Sequence, residues 1–228
     1  MNQLRSSLSA SRIKLVAFDV DGTLLRGPTI CECIAAGIGK QKEMREFEQL
    51  TSTVEIAEAR ATMVSWYRDH DQATLLQHVQ TAVLAAGVHE GMADLKRAGV
   101  QVALVSITWQ FAVEWLAIKL GADWAVGTQW RGDDQIVHFW PADKATWLAA
   151  RASEFGLHPA QIAAIGDSTG DLPMLKYAGT GYFVGQNPTD LPSHVKHWPA
   201  ADISAIVRDL LSVANFDREH AVASRRRR

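Results

Sequence analysis

LVAFDVDGTL, residues 15–24, sets an apolar run of strand type directly against two aspartates one residue apart, then a glycine and a threonine. Like charges at that spacing raise each other's pKa, so two acids where a buried strand surfaces call for a chemical reason. The run from Lys14 to Phe18 shows no polar alternation, and VQVALVS (100–106), QIAAIGD (161–167) and TGYFVG (180–185) have the same character. Continuous apolar strands are buried on both faces, as in parallel sheets covered by helices. Helix-type stretches at 90–98, 109–120, 143–155 and 170–178 fall between them. The alternation predicts an α/β fold, a doubly wound parallel sheet with right-handed crossovers.

One region departs from this order. Residues 29 to about 86 hold no convincing strand, while TICECIAAGI, QKEMREFEQL, VEIAEARATMVSWYRDH and QATLLQHVQTAVLAAG carry helical spacing, as at Val54, Ala57, Ala61, Val64 and Tyr67. These are either extra helices on the sheet or an inserted α-helical cap. The insertion begins where open α/β sheets hold ligands, which favours the cap. The expected organisation is a core of 12–27 and 87–214, a cap of 28–86 and a disordered tail of 215–228. TQWRGDDQIVHFW (128–140) reads as a β-hairpin about its Gly-Asp-Asp turn.

Of 228 residues, 47% are hydrophobic and 21% charged, ordinary values for a soluble protein with a sizeable core. A net charge of −2 gives no general attraction to nucleic acid or anionic membrane, so a small-molecule ligand held by local groups is expected. Cys31 and Cys33 lack a second Cys or His pair at zinc-site spacing and read as buried or half-buried helix thiols. The eight histidines also form no ligand spacing and read as surface or turn residues. The N-terminus lacks the apolar stretch of a signal peptide, and no run approaches the ~18 apolar residues of a membrane span. A cytoplasmic location is the expectation.

The chemistry gathers at the strand ends, which converge in a doubly wound sheet. They bring Asp19 and Asp21, Ser106, and Asp167 with Asp171 in GDSTGDLPML; Lys144 opens the helix DKATWL. An all-oxygen donor set suits Mg²⁺, with Asp19 and Asp167 as direct ligands and Asp171 outside them. A dication would also offset the repulsion between the clustered acids. Asp19, last on its strand, is the candidate nucleophile for a phosphomonoester. Asp21 is placed to exchange protons with the leaving oxygen and the attacking water. Gly22, Thr23, Ser106, Ile107 and Lys144 are the candidate phosphate-binding residues.

DVDGTL, the serine of ALVSIT, the lysine of DKATWL and GDSTGDLPML together resemble the four motifs of the haloacid dehalogenase superfamily, over residues 13–212. The helical insertion is similar to the small cap of its phosphoserine phosphatase-like branch. The resemblance implies a Rossmann-like core and a Mg²⁺-dependent phosphatase working through an aspartyl phosphate, with Asp19 as nucleophile and Asp21 as acid and base. It adds the Asp21 carbonyl to the metal ligands Asp19 and Asp167, with Asp171 in support. Departures concern the substrate. Where phosphoserine phosphatases carry a glutamate seven residues after the second aspartate, this chain has Pro28. Their cap arginine aligns near Met63, with Arg60 one helical turn away. Their Ser-Gly-Gly becomes Ser106-Ile107-Thr108, followed by Trp109, read as a core residue or a wall of the leaving-group pocket. Pro28, Arg60, Met63 and Trp109 are therefore the candidate specificity residues. Phosphoserine phosphatase proper, a phosphotransferase and a phospho-accepting module are the alternatives.

Overall fold

A computed structural model describes residues 13–132, 135–188 and 190–212. The ends of the expected core, and the expected tail, lie outside the described residues. Among the described residues, seven strands form one sheet in the order β4-β3-β2-β1-β5-β6-β7. They are β1 (Leu15–Phe18), β2 (Gln101–Trp109), β3 (Trp124–Trp130), β4 (Ile136–Val137), β5 (Ile162–Gly166), β6 (Thr180–Phe183) and β7 (Val195–His197). All neighbours run parallel except β3 and β4, the antiparallel pair read as a hairpin; its two turn aspartates lie outside the described residues. The four anticipated strands are present, and β5 ends one residue short of Asp167.

β1 explains why its run is apolar throughout. Leu15 and Ala17 pack into a core beneath α7 (Pro141–Glu154) and α8 (Leu172–Tyr177), with Leu148, Ala152, Met174 and Leu175. Val16 and Phe18 face the opposite core, beneath α5 (Val88–Arg97), α6 (Gln110–Leu120) and a helix at residues 203–212. Successive strand side chains point to opposite faces, so a central strand covered on both sides must be apolar at every position.

Four helices stand between β1 and α5: α1 (Ile30–Gly37), α2 (Gln41–Phe47), α3 (Thr53–Tyr67) and α4 (Gln72–Val79). The chain leaves and returns through adjacent segments, with the Ala85 N–H donating to Leu24 O and the Arg26 N–H to Val83 O, both at 2.8 Å. Thr29 caps α1 in a reciprocal box with Glu32, and Asp71 caps α4 through the Thr74 N–H. The expected apolar stripe of α3 is corrected: Val54 and Ala61 are exposed, while Ala59, Arg60, Met63, Val64 and Tyr67 are buried. The inward face is thus turned by about one position and includes a charge, a combination that apolar periodicity alone does not find. Among the described residues, no helix is long and apolar enough to cross a membrane.

Two other boundaries moved. β2 continues through Ser106 to Trp109 across an irregularity, so Ser106 does not terminate it. Helix α7 starts at Pro141, two residues early, because proline suits the first helical position and Asp143 accepts the Trp140 N–H. Gly87, at the start of α5, has φ of 73°, and a Cβ there would lie 1.9 Å from Asp202 Oδ1. Gly87→Ala is therefore expected to lower the unfolding free energy by about 1–3 kcal/mol, read as a fall in the urea midpoint at unchanged m-value.

Candidate active site

β1 and β5 are adjacent and in register, Phe18 opposite Ile165, so the residues after them emerge side by side. Asp19 follows β1; Asp167 follows β5, and a turn of 3₁₀ helix at Thr169–Asp171 brings Asp171 back beneath it. Carboxylate oxygens of Asp19, Asp167 and Asp171 all lie within 4.8 Å of one another. Lys144 enters from the first turn of α7, and its ammonium donates to Asp19 Oδ1 and to Asp171 Oδ1, each at 2.6 Å. Both bonds are buried.

Asp171 is fully buried, and its Oδ2 accepts from the Asp167 N–H, the Ser168 N–H and the Ser168 hydroxyl, each at 3.0 Å. With Lys144 on its other oxygen, it organises the turn that holds Asp167. Two close approaches shape the cluster: a Cβ at Gly22 would stand 2.1 Å from Asp167 Oδ2, and one at Gly166 would stand 2.4 Å from Asp171 Cβ. Gly22 also has φ of 85°, a conformation that other residues rarely adopt.

Burial first, then the charge of Asp171, pushes the Asp19 carboxyl well above the ordinary range, although Lys144 pulls against both. Asp167 is raised by the same two causes, offset in part by the Thr23 hydroxyl. Burial alone would lower the Lys144 pKa, but the charges of Asp171 and Asp19 outweigh it and raise it. With all three carboxylates ionised, the one ammonium bonded among them would leave two negative charges uncompensated, which adds to burial in raising Asp19 and Asp167. The donor set is hard oxygen throughout, so residues and charge both fit a divalent cation.

Asp21 belongs to a different environment. Its Oδ1 accepts the Ile30 N–H at the start of α1 at 2.8 Å. Burial raises its carboxyl to about 7, more than the Ile30 hydrogen bond lowers it. Asp19, Asp21, Ser106, Ile107 and Lys144 line one cavity of about 530 Å³. Its other walls come from the inserted helices, with Cys31, Met44, Phe47, Ile56, Arg60 and Met63, from Thr108 and Trp109 at the end of β2, and from Ser168, Thr169 and Gly170 in the turn after β5.

Not every candidate faces this cavity. Gly22 and Thr23 are absent from its walls, and the Thr23 hydroxyl donates to Asp167 Oδ1 at 3.1 Å. Pro28 is exposed and also outside them. Met63 and Trp109 are buried wall residues, and Trp109 meets Tyr67 edge to face. Arg60, 7% exposed, donates to Ile107 O at 2.8 Å and Phe139 O at 3.4 Å, lies 3.1 Å from His138 Nδ1, and covers the Trp140 ring at 4.6 Å. Among the described residues no carboxylate pairs with it, and burial lowers its pKa to about 10, so it stays charged at neutral pH. Sequence reasoning missed Glu48, a wall residue holding the Thr29 hydroxyl at 2.9 Å, and Thr128, whose hydroxyl donates to Ile107 O at 2.9 Å. Neither carries a local signal, since a helix-end glutamate and a strand threonine are commonplace. His138, read as a surface or turn residue, is half-buried against Arg60.

Comparison with known proteins agrees with this geometry. The family of haloacid dehalogenase-like hydrolases matches residues 16–176. A phosphoserine phosphatase of Albidiferax ferrireducens is 27% identical over 187 residues, covering 75% of this chain and 78% of that protein. One from Streptomyces coelicolor is 30% identical over 190 residues, covering 77% of this chain but 45% of its own length. Among solved structures, a HAD family hydrolase from Salmonella enterica serovar Typhi superposes with a TM-score of 0.76 at 20% identity, over 87% of this chain and 71% of that one. A phospho-aspartyl intermediate analogue of phosphoserine phosphatase gives 0.70 at 23%, over 87% and 99%.

The uncompensated charge yields a direct expectation. A divalent cation at 100 times its dissociation constant should stabilise the fold by about 2.7 kcal/mol, seen as a higher thermal midpoint that EDTA reverses. Asp167→Asn, which removes one negative charge and leaves the Lys144 bonds intact, should abolish most of that rise.

Proposed function

Because the chain belongs to the haloacid dehalogenase-like hydrolase family, we propose that it is a Mg²⁺-dependent phosphatase of a small phosphomonoester, working through an aspartyl phosphate. The observation that carries this reading is the shared cavity, in which Asp19, Asp21, Ser106 and Lys144 form the floor and the inserted helices form the roof. Asp19 and Asp167, with the Asp21 carbonyl, would hold Mg²⁺, and Asp171 supports them. The cation supplies charge neutralisation for phosphate entering an acidic site.

The Asp19 carboxylate attacks phosphorus, forming its acyl phosphate bond as the bond to the leaving oxygen breaks. Asp21 gives its proton to that departing alkoxide. Water then attacks the phosphoryl group, Asp21 takes a proton from it, and Asp19 is released with inorganic phosphate. Lys144 holds Asp19 in place and offers positive charge to the phosphoryl oxygens. The Ser106 hydroxyl and the backbone at Ile107 donate to them from β2. Residues 28–86 act as a cap, opening through the paired segments at Leu24–Arg26 and Val83–Ala85, and exclude water during the first transfer.

Phosphoserine is the second reading. The relatives named above are phosphoserine phosphatases, and Arg60 and Met63 both stand in the wall where a substrate carboxylate would lie. Pro28, exposed and uncharged, offers nothing to a substrate ammonium. A panel of phosphomonoesters assayed with Mg²⁺ separates the readings: a marked preference for phosphoserine selects the second, and no phosphate release from any member defeats both.

Two variants test the chemistry. Asp19→Asn should reduce turnover to background for every substrate while still binding inorganic phosphate. Asp21→Asn should slow formation of the aspartyl phosphate, read in single turnover, by about 10²–10⁴-fold from alkyl phosphates but far less from aryl phosphates, since a phenolate leaves without a proton; equal losses in that step would remove Asp21 from the leaving-group role.

A further inference from the structure

Resting on the reading of Ser106 and Ile107 as phosphate-binding residues, we propose that Arg60 is a positioning residue: from helix α3 it sets the orientation of the Ser106 hydroxyl through the Ile107–Thr108 peptide. The regular pairing of β2 with β3 is interrupted between Val105 and Trp109. The Ile107 carbonyl, inside that irregularity, accepts instead from Arg60 Nη2 at 2.8 Å and from the Thr128 hydroxyl at 2.9 Å. In a trans peptide the C=O and the following N–H point in opposite directions. Two donors fixing the Ile107 carbonyl therefore aim the Thr108 N–H the other way, where it donates to Ser106 Oγ at 3.3 Å. With a lone pair of that oxygen engaged, the hydroxyl hydrogen is left to donate into the cavity, where phosphate is read to sit.

Arg60 is held for this task on every side. His138 Nδ1, Phe139 O and the Trp140 ring fix the guanidinium against the segment that leads from the β3–β4 hairpin into α7. Thr128 links the same parts, since its Oγ1 also accepts the Phe139 N–H at 3.1 Å. These acceptors are neutral groups of the sheet domain, so the bonds of Arg60 bridge the inserted helices to the sheet. Lifting α3 removes one of the two donors to the Ile107 carbonyl and loosens the Ser106 hydroxyl. Phosphate affinity is thereby tied to the seating of α3, and its loss on lifting eases product release.

The test uses 4-nitrophenyl phosphate, which has no carboxylate for an arginine to bind, with inorganic phosphate as inhibitor. Arg60→Met should lower kcat/KM for this probe by about 10- to 100-fold and weaken inhibition by phosphate. Arg60→Lys, a point charge without the planar fork, should recover part of the loss. In a Ser106→Ala background, Arg60→Met should add less than about a threefold further loss, because both act through one hydroxyl. Fully multiplicative losses overturn the inference, as does a loss confined to phosphoserine that leaves 4-nitrophenyl phosphate untouched; the latter would make Arg60 a substrate receptor. Should Arg60→Met fail to fold by circular dichroism, Thr128→Val replaces it, since it removes the other donor; its loss must also fail to multiply with that of Ser106→Ala, and a multiplicative result overturns the inference. A wild type that hydrolyses no phosphomonoester defeats the functional reading and this inference together, whereas an active wild type with multiplicative losses defeats this inference alone.

Discussion

The site depends on one buried ammonium. Lys144 bonds Asp19 on one side and Asp171 on the other, and with these two contacts it ties β1, the turn after β5 and helix α7 into one arrangement. Taking these charges out of water costs more than a well-packed apolar contact would, so such a cluster is a poor way to stabilise a fold. Its merit is geometric. Asp19 is held with one oxygen engaged and its charge only partly offset, and Asp167, raised by its neighbours, stands beside it. A cluster with this charge balance and these oxygen donors suits a divalent cation.

Much of this was legible because β1 is central. A strand buried on both faces must be apolar at every position, so the two acids at its end stand out against it. The same logic found β5 and β6. It failed for the first half of β3, where Trp124 and Ala125 are only partly buried, and for β7, three edge residues with little apolar character. The helix at 203–212 carries its buried apolar residues at Ile203, Ile206, Val207 and Leu210, a regular helical spacing. Acids, lysine and serine came from local motifs whose spacing survives folding.

The roof was harder to read, for a physical reason. A cavity wall is chosen by how helices pack, and packing is decided by contacts far apart in sequence. Glu48 and Met44 face the cavity through the seating of α2, while Pro28, singled out by alignment, points to solvent. Arg60 stands out only as the arginine within a helical turn of the family's cap arginine, but its partners Ile107, His138 and Phe139 are 47 or more residues away. Spacing along the chain cannot register a guanidinium shared among a strand irregularity, a hairpin and a tryptophan face.

The inserted helices meet the chemistry at two points. The Ile30 N–H, opening α1, donates to Asp21 Oδ1, so the residue read as proton carrier is held by the first turn of the insertion. Arg60, on α3, donates to the carbonyl beside Ser106. On the proposed reading, one contact bears on the leaving oxygen and the other on the phosphoryl group, and both link the inserted helices to the sheet. Helices that merely covered the sheet would need no polar contact with either aspartate or serine loop. Because the two contacts come from different helices, the proposed closure would need α1 and α3 seated together: α1 alone would place Asp21 while leaving the carbonyl beside Ser106 with one donor fewer.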